Sequence, residues 1–319
     1  MKLHPGEVDT SAALVSALVA GQFPSLAGPV REFRSTGTVN AIYRIGDELY
    51  ARLPRIAKYE RDLHREREWL PRLAPALSLR VPEPVAFGRP GEGYPFAWGI
   101  FRWLEGEPYA GLAAATAPAG PGEPPPARGE PPAARGEAPA ARREAPPARG
   151  LVADERVAAR HLARFVRELR AIPVPDDAPR GGRRPLRELD AVTRPVLDGA
   201  ALEAWDRALD TPPFTGPPVW IHADLLRPNL LVRDGRLSAV IDFGGVGAGD
   251  PATDVIPAWA VFDAPGRAAF REALEVDDAT WERARGIALH QAALIVPYYE
   301  QTNPAFSALA RRTIEQLLD

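Results

Sequence analysis

The sequence predicts a bilobal α+β fold, a small antiparallel-sheet lobe followed by a larger, mainly helical lobe. Three observations carry this. Strand-like runs joined by short turns fill residues 30–53, helical periodicity dominates from 154 to the end, and a strand–loop–hairpin unit lies between 219 and 242. At 319 residues the chain is long enough for two lobes with their own cores.

The elements follow in order. Leu14/Leu18 and Val15/Val19 sit at helical spacing, with Asp9 to Ser11 as the cap, so residues 12–20 read as an amphipathic helix packed on the first lobe. The same stretch is short, follows Glu7 and Asp9, and lacks a basic flank, which argues against a targeting segment. Val30 to Arg34, Ala41 to Ile45 and Glu48 to Leu53 read as strands, with a turn at Gly46-Asp47. Alternation sends Arg52 to the face opposite Leu49, Ala51 and Leu53. From Lys58 to Leu73 a helix sets Glu66 among Leu63, Leu70 and Leu73, while Glu68 falls on the far side. A carboxylate on an apolar stripe needs a partner, because an unpaired buried charge is costly. Arg52 is the candidate.

Ala97 to Leu104 reads as a buried strand, broken by Glu105-Gly106-Glu107-Pro108. The first lobe therefore spans 1–104, with 105–112 opening the second. Residues 113–150 are almost entirely Ala, Pro, Gly, Glu and Arg and repeat every seven residues, as in Ala127 to Ala133 and Ala134 to Ala140. Prolines at that density forbid a continuous helix, and the lack of large apolar side chains leaves ordering entropy without compensation. The expectation is a disordered or polyproline-like insert. The second lobe, 151–319, resumes with a helix from about Asp154 to Arg170. Helical pieces follow at Pro185–Leu197, Leu202–Leu209, Asp250–Phe262, Gly266–Leu274, Ala279–Val296 and Pro304–Leu318.

The chemistry is concentrated in two segments. Ile221-His222-Ala223-Asp224 is followed by Asn229, and Asp242-Phe243-Gly244 lies thirteen residues beyond the asparagine. Val219 to Ile221 and Leu230 to Val232 read as strands, Asp234-Gly235 is a two-residue hairpin signal, and Arg236 to Ile241 returns to place Asp242 beside the loop. Each polar residue alone fits turn capping. Together they form the set that phosphoryl transfer asks for.

These segments resemble the aminoglycoside phosphotransferase-like small-molecule kinases, relatives of protein kinases. The family's HGD-x4-N appears as His222-Ala223-Asp224 with Asn229, its IDFG as Ile241 to Gly244, and its GDP-x-x-D as Gly249 to Asp254. The resemblance implies a protein-kinase-like fold with Asp224 as catalytic base, Asn229 and Asp242 as Mg²⁺ ligands, and His222 and Asp254 as supports. It places Thr36, Gly37, Thr38 and Asn40 over the phosphates, although Val39 replaces an acidic residue of the family's GTDN. It sets Arg52, held by Glu66, where kinases keep a lysine. It makes Arg102, Trp103 and Leu104 the hinge region whose backbone groups meet the base of ATP, with GTP as the alternative donor. The helical tail would wall the acceptor site, with Trp259, Tyr298, Tyr299 and Glu300 as candidate lining and a place for the aromatics in the core as the alternative.

The implied function is transfer of the γ-phosphate to a small-molecule hydroxyl, an aminoglycoside or similar antibiotic being the leading acceptor. A sugar, an amino alcohol or a macrolide, and a catalytically idle nucleotide-binding protein, are the alternatives. Asp263, Glu272, Asp277, Asp278 and Glu300 are the acidic residues available to a cationic acceptor. A net charge of −3 gives no argument for nucleic acid or membrane, and the absence of cysteine excludes thiol chemistry. The expectation is a cytoplasmic enzyme of unassigned oligomeric state.

Overall fold

The computed structural model describes residues 6–33, 39–112 and 150–319. In the first lobe, helix α1 (Ala12–Gln22) starts where the Ser11 hydroxyl accepts from the Leu14 N–H. Strands β1 (Val30–Phe33), β2 (Asn40–Ile45), β3 (Leu49–Pro54), β4 (Pro84–Gly88) and β5 (Trp98–Arg102) form one antiparallel sheet, in the order β1-β2-β3-β5-β4. Val15, Leu18 and Val19 of α1 pack on Ala51, Leu53, Trp98 and Ile100 from one sheet face. The opposite face carries Tyr50 and Arg52 and is crossed by helix α2 (Glu60–Leu73).

Helix α2 does not belong to the small lobe's core. Its Leu63, Trp69, Leu70 and Leu73, with Phe101 of β5, join the large lobe's hydrophobic core, and Trp69 meets Trp220 at 4.9 Å between ring centroids. One apolar cluster therefore crosses the cleft floor and fixes α2 relative to the catalytic loop.

The large lobe opens with β6 (Glu107–Pro108) and β7 (Gly111–Leu112). After it come β8 (Leu151–Val152), α3 (Glu155–Ala171), α4 (Leu186–Thr193), α5 (Gly199–Asp210) and β9 (Val219–Ile221). Next are β10 (Leu230–Arg233), β11 (Arg236–Val240), β12 (Gly247–Gly249) and α6 (Pro257–Ala260), and last α7 (Ala264–Leu274), α8 (Asp278–Tyr299) and α9 (Pro304–Leu318). The hairpin between β10 and β11 turns at Asp234 and Gly235, whose φ values of 51° and 71° fit the tight turn that their sequence signals. The expected insert at 113–150 lies, apart from Gly150, outside the described residues. Its flanks β7 and β8 pair in parallel, Gly111 opposite Leu151, so the chain leaves and re-enters the fold at one point.

Several elements differ from expectation. Residues 105–108 hold a short edge strand as well as the break: Glu107 and Pro108 pair with β10, and proline is tolerated there because an edge strand needs donors on one side only. The expected helix at 250–262 is a 3-10 turn, Pro251–Val255, and the single turn α6, interrupted because Pro257 cannot continue a helical ladder. α4 stops at Thr193 ahead of Pro195. Among the described residues no helix is long and apolar enough to cross a membrane.

Candidate active site in the cleft between the lobes

Strand β9, paired with β12, delivers His222 to the cleft. The buried Asp254 carboxylate accepts the N–H groups of His222 (2.7 Å) and Ala223 (2.9 Å), one on each oxygen. Those two bonds hold Ala223 in the left-handed region at φ 71°, a conformation that costs a non-glycine residue about 1 kcal/mol. Burial pushes the Asp254 carboxyl above its ordinary range, and the two N–H donors and His222 oppose that shift. His222 is fully buried, and its Nδ1 accepts from the Asp224 N–H at 3.2 Å. Nε2 is then the protonated nitrogen, donating to the Ile241 carbonyl at 3.1 Å. The imidazole thus ties the loop to the strand end that carries Asp242 and points away from the reacting volume.

Asp224 is held on both oxygens. Asn229 Nδ2 donates to its Oδ2 (2.8 Å) and to its backbone carbonyl (2.9 Å), while Gln291 Nε2 of α8 donates to Oδ1 (3.0 Å). Burial raises the Asp224 carboxyl above the usual aspartate range and the Asp242 charge adds to this; His222, Arg183 and the Gln291 bond pull the other way. The Ile241 N–H donates to the Asn229 carbonyl at 2.9 Å, which joins the two motifs. Asp242 itself is left-handed at φ 67°, a second strained residue within the site.

Arg52 spans the cleft floor. Its Nη1 reaches both oxygens of the fully buried Glu66 (2.7 and 2.6 Å), and Nη2 reaches Asp242 Oδ1 at 2.9 Å. With its amide oxygen turned toward the guanidinium, Asn40 accepts from Nε and Nη2 at 2.8 and 3.0 Å. Burial alone would lower the Arg52 pKa, but the Glu66 and Asp242 carboxylates outweigh it and raise it. Burial lifts the Glu66 carboxyl while Arg52 draws it down. The guanidinium is permanently charged and bridges both lobes, which a single ammonium could not do with this many bonds.

Two cavities meet at Asp242. One, about 360 Å³, lies under the sheet between Phe33, Ile42, Trp103, Leu104, Leu231 and Ile241, and Asn40, Arg52, Asn229 and Asp242 close its inner end. The other, about 940 Å³, opens from Asp224 and Asp242 toward α2, α8 and the loop at residues 180–183.

The structure brings Arg52, Glu66, Asn40, His222, Asp224, Asn229, Asp242 and Asp254 together. Trp103 and Leu104 border the smaller cavity, and Tyr298 and Tyr299 the larger. Thr36, Gly37 and Thr38 lie outside the described residues. The Arg102 side chain turns out of the cleft to pair with Glu83 at 2.9 Å, since strand alternation puts it opposite the face that Tyr50 and Trp103 share, and only its backbone is left for the hinge role. Two expected positions are corrected. Trp259 is buried against Trp281 (4.6 Å between centroids) and lines neither cavity. Glu300 is exposed on the outside of α8's end, paired with Arg311. The other acidic residues do not converge on the cavity either. Asp263 pairs with Arg312, Asp278 with Arg271, Asp277 caps α8 and Glu272 is exposed.

Sequence reasoning missed three features: Gln291, Asp62 beneath Gly244, and the Arg180–Arg183 loop at the larger cavity. Gln291 sits within an apolar helix, where a lone amide needs a polar partner; that was the available signal. The loop was visible only as two adjacent glycines flanked by arginines.

A small sheet lobe, a helical lobe and a cleft lined by a paired arginine, two aspartates and an asparagine define a kinase-like phosphotransferase class. The model of the phosphotransferase enzyme family matches residues 30–123 and 135–287, and this chain belongs to that family. Among solved structures, the GDP complex of wild-type aminoglycoside 2'-phosphotransferase-IIIa is similar with a TM-score of 0.66 at 16% identity, covering 97% of this chain and 99% of that one. Macrolide 2'-phosphotransferase type I gives 0.62 at 19%, covering 95% and 97%. The apoenzyme of macrolide 2'-phosphotransferase MphH from Brachybacterium faecium gives 0.55 at 18%, covering 93% and 97%. At these identities the likeness is one of fold. No curated protein matches the sequence.

Proposed function

We propose that this chain transfers the γ-phosphate of a nucleoside triphosphate, ATP or alternatively GTP, to a hydroxyl of a small molecule. The observation that supports this best is the meeting of two cavities at Asp242, with the buried Asp224 held on both oxygens at the wall of the larger. The smaller cavity has apolar walls suited to a flat base and a charged inner end suited to phosphates. GDP and ADP complexes of similarly folded proteins support nucleotide binding by this fold.

In this reading Asp224 accepts the proton of the attacking hydroxyl, a role its raised basicity and fixed orientation suit. Asn229 and Gln291 are positioning residues that keep one carboxylate geometry. Arg52, pre-paired with Glu66, offers its charge to the phosphates without having to be ordered at the moment of reaction. Asp254 braces the loop through two backbone N–H groups.

The residues present also fit magnesium. Both protons of the Asn229 amide are spent on Asp224, which leaves its oxygen for a cation, and Arg52 uses only Oδ1 of Asp242. With these two side chains as its protein ligands, the ion would complete its shell with phosphate oxygens and water. Bound there, Mg²⁺ would neutralise charge on the phosphates.

Nucleotide consumption by the purified chain with Mg²⁺ and ATP or GTP, measured across hydroxyl compounds of different charge, tests the reading. Acceptor-stimulated release of the diphosphate is expected. Nucleotide that binds but is never consumed across the set would instead identify an idle nucleotide-binding protein.

A further inference from the structure

The larger cavity has the wrong charge for a polycation. Lys58, Arg61 and Arg65 border it from the α2 side, and Arg180 and Arg183 from the large lobe. Among the described residues its only carboxylates are Asp62, Asp224 and Asp242, two of which are engaged in the chemistry above. Leu226, Ile295 and Phe306 supply an apolar floor.

The loop that carries the two arginines of the large lobe is held in place through its backbone. The Gly181 N–H donates to the Ala248 carbonyl (3.0 Å), and the Ala248 N–H to the Pro179 carbonyl (2.7 Å). The contact is so close that a Cβ on Gly247 would stand 2.6 Å from Gly181 N and Pro179 O, and one on Gly181 2.9 Å from Gly247. Gly182 is left-handed at φ 78°, and a Cβ there would strike Ile221 and Thr253. Strand β12 is paired with β9, which carries the catalytic loop, so these glycine contacts seat Arg180 and Arg183 at a set distance from Asp224. Neither arginine side chain forms an ion pair among the described residues, whereas the neighbouring Arg184 approaches Glu188 at 4.0 Å. Two exposed arginines on a fixed loop beside Asp224, whose carboxylate feels the Arg183 charge but forms no ion pair with it, are placed for an anion from outside.

We infer that the acceptor carries an oxyanion, a carboxylate or a phosphate, close to the hydroxyl that is phosphorylated, and that Arg180 and Arg183 hold it. This rests on the phosphotransfer reading above. In the reaction the acceptor oxygen bonds to the γ-phosphorus as the bond to the β-phosphate oxygen breaks. The hydroxyl proton passes to Asp224 and then to solvent, and the nucleoside diphosphate leaves.

The test has a binding arm and a turnover arm. Calorimetry on the full chain, saturated with a non-hydrolysable ATP analogue and Mg²⁺, would compare hydroxy-carboxylates, sugar phosphates, neutral polyols and kanamycin. Binding by an anionic class, weakened about 10–100-fold in Arg180→Gln or Arg183→Gln with analogue affinity unchanged, is expected, and the carboxylate and phosphate arms separate the two sources. Both arginines are exposed, so these variants should fold, and Arg183→Glu should shift preference toward kanamycin. Tight kanamycin binding by the unaltered protein, or no anion binding up to millimolar concentration, would overturn the inference. Arginine-dependent anion binding without turnover would uphold the anion site and count against the phosphotransfer reading instead.

Discussion

Breaking the Arg52–Glu66 pair gives the sharpest energetic prediction. Both side chains are nearly or fully buried, at 5% and 0% exposure, and the guanidinium meets Glu66 through contacts of 2.7 and 2.6 Å. Charge centres about 4 Å apart attract by about 4 kcal/mol at an effective dielectric near 20. Removing one partner of a buried pair costs about 3–5 kcal/mol, because the other charge is stranded. Asp242 remains beside Arg52 and is partly exposed, so Glu66→Gln should fall at the lower end, about 3 kcal/mol. In urea that is a midpoint lowered by about 1 M. The double variant Arg52→Met/Glu66→Leu removes both charges and should recover most of that stability while losing nucleotide affinity. The reasoning is refuted if Glu66→Gln stays within about 0.5 kcal/mol of the parent, or if the double variant is the less stable.

Two further predictions concern the catalytic loop. Ala223→Gly relieves a left-handed alanine and should stabilise the fold by about 0.5–1 kcal/mol, read as a melting point about 1–3 °C higher by calorimetry. Gln291→Leu removes a hydrogen bond that lowers the Asp224 pKa, so the folded-state pKa rises further. The base is active when ionised, and the acid limb of the kcat/KM profile should therefore move to higher pH. An unmoved limb would mean that Gln291 does not act on Asp224.

The parts of the site legible in the sequence are those whose geometry is local. Asp234-Gly235 forces the hairpin, so Asn229 and Asp242 at its two ends must come together. Glu66 announced a partner by sitting on an apolar stripe, and Arg52 was within reach of it. The acceptor side was not legible, because its walls run from Lys58 to Phe306 and converge only through helix packing. Of the acidic residues that looked available, Asp263, Asp278 and Glu300 are engaged by arginines elsewhere on the surface, Asp277 caps a helix and Glu272 is exposed away from the cavity. Trp259 took the core place that was its alternative, because the sequence alone could not orient its helix turn. The catalytic strand's pairing with β12 escaped as well, since Gly247 to Gly249 carries no strand signal beyond its fit to the Pro179–Gly182 backbone.

The central claim is that Asp224 is the base of a phosphotransfer reaction. It is tested most directly by comparing the parent chain with Asp224→Asn under saturating nucleotide and an acceptor that stimulates the parent, with nucleotide affinity measured in parallel. The account predicts turnover lower by on the order of 10²–10⁴-fold, with the nucleotide dissociation constant changed by no more than about threefold. Turnover equal to the parent's, or nucleotide binding lost together with activity, would contradict it.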